Sequence, residues 1–158
     1  MTTLRSNSAP TQEDILRLQE WGARFPQADM PVKHHFSEGT YTREIFMPAG
    51  TLVVGKEHST RHTNIVCKGI CTVWTVHGKH LYDATDHPIS FESMAGVKKV
   101  LYMHTDVIWM TVHPNPNNEQ CQDILEGMFI KPAEQEQLFH ELGKELLVGN
   151  VKHLEEML

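Results

Sequence analysis

The spacing of apolar positions changes twice along the chain. Near the start, Ile15, Leu18, Trp21 and Phe25 fall three to four residues apart, as on one face of a helix, and Thr11 with Asp14 has the form of an N-terminal capping box. This predicts an amphipathic helix over 12–23, ended by Pro26. Residues 27–38 show no period and read as a connecting loop. From residue 40 onward the apolar residues gather in short β-branched or aromatic runs, at 41–46, 51–54, 65–67, 72–76, 89–91, 97–103 and 107–112. Turn formers such as Pro48-Ala49-Gly50, Lys68-Gly69 and Asp86-His87-Pro88 separate them. Short strands at close spacing, with no helical segment between them, predict a mainly β fold: an antiparallel sandwich or barrel of the jelly-roll kind rather than a βαβ fold. Beyond the breaker cluster Pro114-Asn115-Pro116 helical spacing returns, at 119–127 and at 133–147, where Leu138, Leu142 and Leu146 form a stripe. Val151, Leu154 and Leu158 continue it in a short terminal helix. These helices either pack on the outside of the β-structure or form an arm that grips a second subunit.

Composition narrows the function. A chain of 158 residues, 40% apolar and 22% charged, suits one domain with a single core. Its net charge of −6, without a basic cluster, argues against a nucleic-acid partner. No apolar run approaches the ~18–20 residues that cross a bilayer, and residues 1–14 hold no hydrophobic signal segment. The expected location is therefore the cytoplasm, with no membrane partner. Cys67, Cys71 and Cys121 make an odd count and form no complete disulfide framework; Cys67 and Cys71 read as small buried or half-buried thiols, which suits a reducing compartment. Eleven histidines remain, and any chemistry is to be sought among them.

The most informative segment is 50–69. A strand ending near His58, three polar residues, and a second strand from about His62 would bring two imidazoles to one point inside a barrel. Neutral imidazole is the commonest protein ligand of divalent transition metals. The competing reading is a pair of hydrogen-bonded surface histidines. A zinc-protease helix is excluded: Ser59 follows His58 where that motif needs its general-base glutamate, and the flanks favour strand.

This segment resembles the first motif of the cupin superfamily. Gly50, His58 and Gly69 fall at the motif's first glycine, second histidine and closing glycine; Lys56 stands where its first histidine is expected, and His62 replaces its glutamate. With Pro48-Ala49-Gly50-Thr51, Gly55-Lys56, Asn64-Ile65 and Lys68-Gly69, it also looks like a group of small cupin-like proteins encoded by tailed phages. The resemblance implies a barrel over 36–114; the spacing of the flanks adds an N-terminal tail, helix and linker over 1–35 and a helical extension over 115–158, together one compact domain. The second cupin motif is weak: residues 94–99 place Lys99, a poor ligand when protonated, at the ligand position. A third ligand must then be His104 or His113. A hairpin about Thr105-Asp106 would pair Tyr102 with Trp109, Val100 with Thr111 and Lys98 with His113, setting the two histidines about 25–30 Å apart. His113 would lie at the Gly96 end, where the family's ligand sits, and is the expected third ligand; His104, beside the turn, is expected to be exposed.

On this reading His58, His62 and His113 hold a divalent transition metal (zinc, iron, nickel or manganese) with open coordination positions, a donor set shared by oxygenase, isomerase and hydrolase chemistry. Tyr102, Trp109 and Thr111 would share the inner face with His113 and either line a small-molecule pocket or fill the barrel. Lys56 or Lys99 would attract an anionic ligand. The alternate face, Leu101, Met103, Ile108, Met110 and Val112, is apolar and calls for a cover, by the tail helices or by a second copy in a homo-oligomer. His34 and His35 (in a loop), His77, His80, His87, His140 and His153 read as surface residues. Two classes of function follow: a metal-dependent enzyme or binder of a small molecule, or a non-enzymatic phage accessory or virion-associated protein of the same fold.

Overall fold

The computed structural model describes residues 9–130. Helix α1 (Gln12–Gly22) begins at the expected capping box: the Asp14 amide donates to Thr11 Oγ1 at 3.1 Å, and the Thr11 amide to Asp14 Oδ2 at 2.8 Å. These bonds occupy amide donors that a helix start otherwise leaves without acceptors. Strands β1 (Val32–Ser37), β2 (Thr40–Met47), β3 (Leu52–Val54), β4 (His62–Thr75), β5 (Gly78–Ala84), β6 (Ile89–Ser93), β7 (Val100–Met103) and β8 (Val107–Pro114) follow, and then α2 (Gln122–Phe129). The fold is mainly β, and every strand pairing is antiparallel.

One sheet has the order β1-β2-β8-β4-β6, the other β3-β7-β4-β5. They share β4. Its first half, to Val66, pairs with β8 and β6; its second half, from Gly69, pairs with β5 and β7. A register shift between Val66 and Lys68 marks the crossing, as expected where a bulge bends a strand. Gly69 sits at this corner with φ +97°, and a Cβ there would stand 2.1 Å from the Asp106 carbonyl oxygen. Residues 104–106 lie across the bend: the His104 amide donates to the Ile70 carbonyl at 2.9 Å, and the Ile70 amide to Thr105 Oγ1 at 2.9 Å.

Between the two sheets lies a core that includes Met47, Val66, Cys71, Val73, Leu101, Met103, Val107 and Trp109. A second cluster lies on the far side of the β3-β7-β4-β5 sheet, where Ile15, Leu18 and Trp21 of α1 pack on Trp74 and Val100. The alternation along β7 is thereby fixed: Leu101 and Met103 face the interior, Val100 and Tyr102 face α1.

The structure departs from expectation at five places. The stretch read as a loop over 27–38 contains β1, and β5 occupies residues assigned to no strand; both are largely exposed, so neither shows an apolar alternation. The runs 65–67 and 72–76 are one strand, because Lys68-Gly69 is a bend within β4 rather than a turn. The hairpin about Thr105-Asp106 does not form. β7 pairs with β3 and β4, β8 with β2 and β4, and the connection carries the chain from one sheet to the other. The predicted helix over 119–127 is α2, two to three residues further on; those over 133–147 and 151–158 lie outside the described residues.

Candidate functional site

The period of β4 turns His62, Asn64 and Val66 inward, at 4%, 1% and 0% exposure. On β8, Thr111 opposes Asn64 and Trp109 opposes Val66, so the same alternation carries His113 to the inner face beside His62. Asn64 ties the floor together: its Nδ2 donates to Ser93 Oγ at 2.8 Å, and its Oδ1 accepts from Trp109 Nε1 at 3.2 Å. His58 comes from the loop between β3 and β4. That loop is held from two sides, by the Gly96 amide donating to the His58 carbonyl at 2.9 Å and by the Ser59 amide donating to the Phe129 carbonyl at 2.8 Å.

These elements bring the rings of His58, His62 and His113 together. Centroids are 4.2 Å apart for His58 and His62, 5.1 Å for His62 and His113, and 5.5 Å for His58 and His113. His62 Nδ1 donates to the Thr60 carbonyl at 3.1 Å, an arrangement that leaves the lone pair on Nε2. That Nε2, with Nδ1 of His58 and Nδ1 of His113, is buried without a hydrogen-bond partner among the described residues. Such atoms are uncommon in folded proteins and call for an explanation. Burial, reinforced by His62 and Lys99, lowers the pKa of His58 to about 3; burial, with His62 and Arg43 beside it, lowers that of His113 to about 4. His62 is lowered too, chiefly by burial. All three rings are thus neutral near pH 7, the form in which imidazole ligates a metal. Donor chemistry therefore fits a divalent ion. The arrangement is not closed, since no group of three His, Cys, Asp or Glu among the described residues is set to hold one.

His58 and His113 border a cavity of about 480 Å³ between the sheets, and His62 stands behind them, outside its lining. Helix α2 covers its mouth: Leu125 and Phe129 pack on Tyr41, and the Phe129 ring stacks on His113 with centroids 4.4 Å apart. Trp109, Thr111, Lys56 and Lys99 line the cavity as well. Lys56 is exposed and ion-paired with Glu126 of α2, whereas Lys99 is 8% exposed and its pKa is pushed down to about 8 by burial. Tyr102 is not among the lining residues. With the hairpin unformed, β7 has the opposite phase to the one expected, and Tyr102 packs beneath α1. His104 is exposed and shares a 2.6 Å hydrogen bond with Thr72 Oγ1, apart from the other three histidines.

Among the lining residues that sequence reasoning missed are three polar ones on β1 and β2. His34, expected in a solvated loop, is half-buried on β1 and shares a 2.7 Å hydrogen bond with the Tyr41 hydroxyl. Tyr41 itself and Arg43 are the others. The alternation Tyr41, Arg43, Ile45, Met47 was a usable signal for the inward face of β2, but an arginine in a strand ordinarily reads as solvent-facing.

No protein-family model matches the chain, and no curated protein matches it. Solved structures similar to it include a cupin superfamily protein from Desulfitobacterium hafniense DCB-2, at 8% identity and TM-score 0.47, covering 57% of this chain and 81% of that one. Ectoine synthase from P. lautus is similar at 11% identity and TM-score 0.46, over 56% of this chain and 65% of its own. The cupin domain of Schizosaccharomyces pombe Cnp3 is similar at 16% identity and TM-score 0.45, over 56% of this chain and 67% of its own. Likeness at this level carries nothing about a shared site or activity; the antiparallel β class rests on strand order and register. No helix among the described residues is long and apolar enough to cross a membrane.

Proposed function

We propose that this is a cupin-like protein whose cavity is a metal-dependent small-molecule site. His58, His62 and His113 hold a divalent transition ion (zinc, iron, nickel or manganese), and a small anionic molecule is bound or transformed beside it. The observation that carries this reading is the set of three neighbouring imidazoles, each with a buried ring nitrogen that lacks a partner among the described residues. A bound ion supplies Lewis-acid polarisation of a ligand oxygen or lowers the pKa of a bound water. The chain does the rest. Burial keeps the rings neutral, the Thr60 carbonyl orients His62, and Phe129 with the rest of α2 shields the His113 side from solvent.

Element analysis of untagged protein tests this. The expected result is close to one transition ion per chain. His58→Ala, His62→Ala and His113→Ala should each fall below about a tenth of that, because removing a ligand from a three-ligand site abolishes tight binding; His104→Ala should keep the parent value. Sub-stoichiometric metal in the parent protein overturns the reading. The second reading, a non-enzymatic accessory or virion-associated protein of the same fold, is favoured by one observation, that no three side chains among the described residues stand in ligating arrangement. Its phage association is supported only by the resemblance of segment 48–69.

A further inference from the structure

The cavity has two unlike ends. Lys99 and Arg43 stand on the side of the imidazoles, and their charges bear on His113; further along β2 from the Tyr41–His113 pair, Ile45 and Met47, with Val53 and Leu101, make an apolar stretch of the wall. Lys99 is more than nine-tenths buried, yet neither it nor the half-buried Arg43 has a carboxylate partner among the described residues. Among the described residues the one carboxylate in the lining, Glu126, is paired with Lys56. A buried ammonium without a counter-charge is strongly disfavoured in a folded protein, so a lysine kept there points to an anion that arrives from outside.

We infer that the cavity takes an amphipathic monocarboxylate, its head group at Lys99 and Arg43 next to the histidines and its hydrocarbon body along Ile45, Met47, Val53 and Leu101. The inference rests on the reading that this cavity is the working site, and not on the ion. The two cations repel an amine of the same length. A short, fully hydrophilic acid leaves the apolar wall uncovered and forfeits that burial. Lys56 plays no part in holding the head group, because Glu126 already neutralises it.

Titration calorimetry with octanoate, octylamine and propionate on the unmodified full-length protein tests the inference. Octanoate should bind at least tenfold more tightly than either of the others. Equal binding of octanoate and octylamine, or no octanoate binding, overturns it without recourse to any variant. Lys99→Met should weaken octanoate at least tenfold while leaving metal content at the parent level and the melting temperature no lower. A folded Lys99→Met protein that binds octanoate like the parent also overturns the inference. Octanoate selectivity in a parent protein that contains no metal would sustain the anion site and sink the metal reading. Stoichiometric metal without octanoate selectivity would do the reverse.

Discussion

Each of the three clustered imidazoles is a neutral base held away from protons. In the unfolded chain a histidine titrates near 6.5, whereas burial lowers His58 to about 3 and His113 to about 4 in the folded protein. Between those values the unfolded state binds protons that the folded state refuses, so stability is fully present above about pH 6.5 and is lost progressively as pH falls toward 4 and then 3. Besides burial, His62, Lys99 and His113 lower His58, with only the Lys56 backbone acting the other way, and His62, Arg43 and Lys99 lower His113. Metal-free protein is therefore expected to melt at steadily lower temperature from pH 6.5 to pH 4, and the double variant His58→Gln, His113→Gln should flatten that profile. A parent profile without this slope would contradict the burial of the rings. Which histidines stand here was partly legible beforehand. His58 and His62 flank a strand start, a pattern the sequence displays openly. His113 was reached through a hairpin that does not exist; it faces inward because β8 alternates beside β4. Lys99 was read as a failed metal ligand and, with Lys56, as a candidate to attract an anion, but its burial was not legible, since nothing local to a lysine shows that its ammonium will be buried.

At the scale of elements, β4 and its bend determine where everything else goes. Gly69 is the residue that permits the bend, for two reasons: its φ of +97° disfavours any side chain, and a Cβ would collide with the Asp106 carbonyl, which is backbone and cannot rotate away. Gly69→Ala is expected to cost about 3 kcal/mol, a fall in melting temperature of roughly 6–12 °C for a chain of this size. A loss below about 1 kcal/mol would show that residues 104–106 can move off the corner. Elements that bury one face were readable from sequence: α1 by Ile15, Leu18 and Trp21, and β8 by Val107, Trp109 and His113. Strands β1 and β5 were not, because they lie mostly in solvent. Strand phase also escaped when it depended on partners. Tyr102 faces α1 because β7 joins the β3-β7-β4-β5 sheet, a choice made by contacts distant in sequence.

Over the whole molecule, the apolar face noted in the sequence is divided between two surfaces. Leu101 and Met103 are core, whereas Ile108, Met110 and Val112 stay half-exposed on the outside of the other sheet. Phe46 lies opposite Ile108 there and Ile65 opposite Met110, so the patch reaches onto β2 and β4, with Lys68 and Glu44 at the other sides of those two pairs. Patches of this kind on a sheet face commonly mark self-association. Sedimentation velocity over a range of concentrations is expected to show a dimer, and Met110→Glu should weaken it at least tenfold. A monomer at every concentration would remove self-association through this face. The shared strand has a consequence of a different kind. Since both layers hang on one continuous backbone, neither can melt and leave the other standing, and amides on the two sides of the corner should exchange with solvent only when the entire β-structure opens. A molecule seated among the histidines would then slow exchange as far away as the strand beneath Trp21, with no change of shape to transmit it.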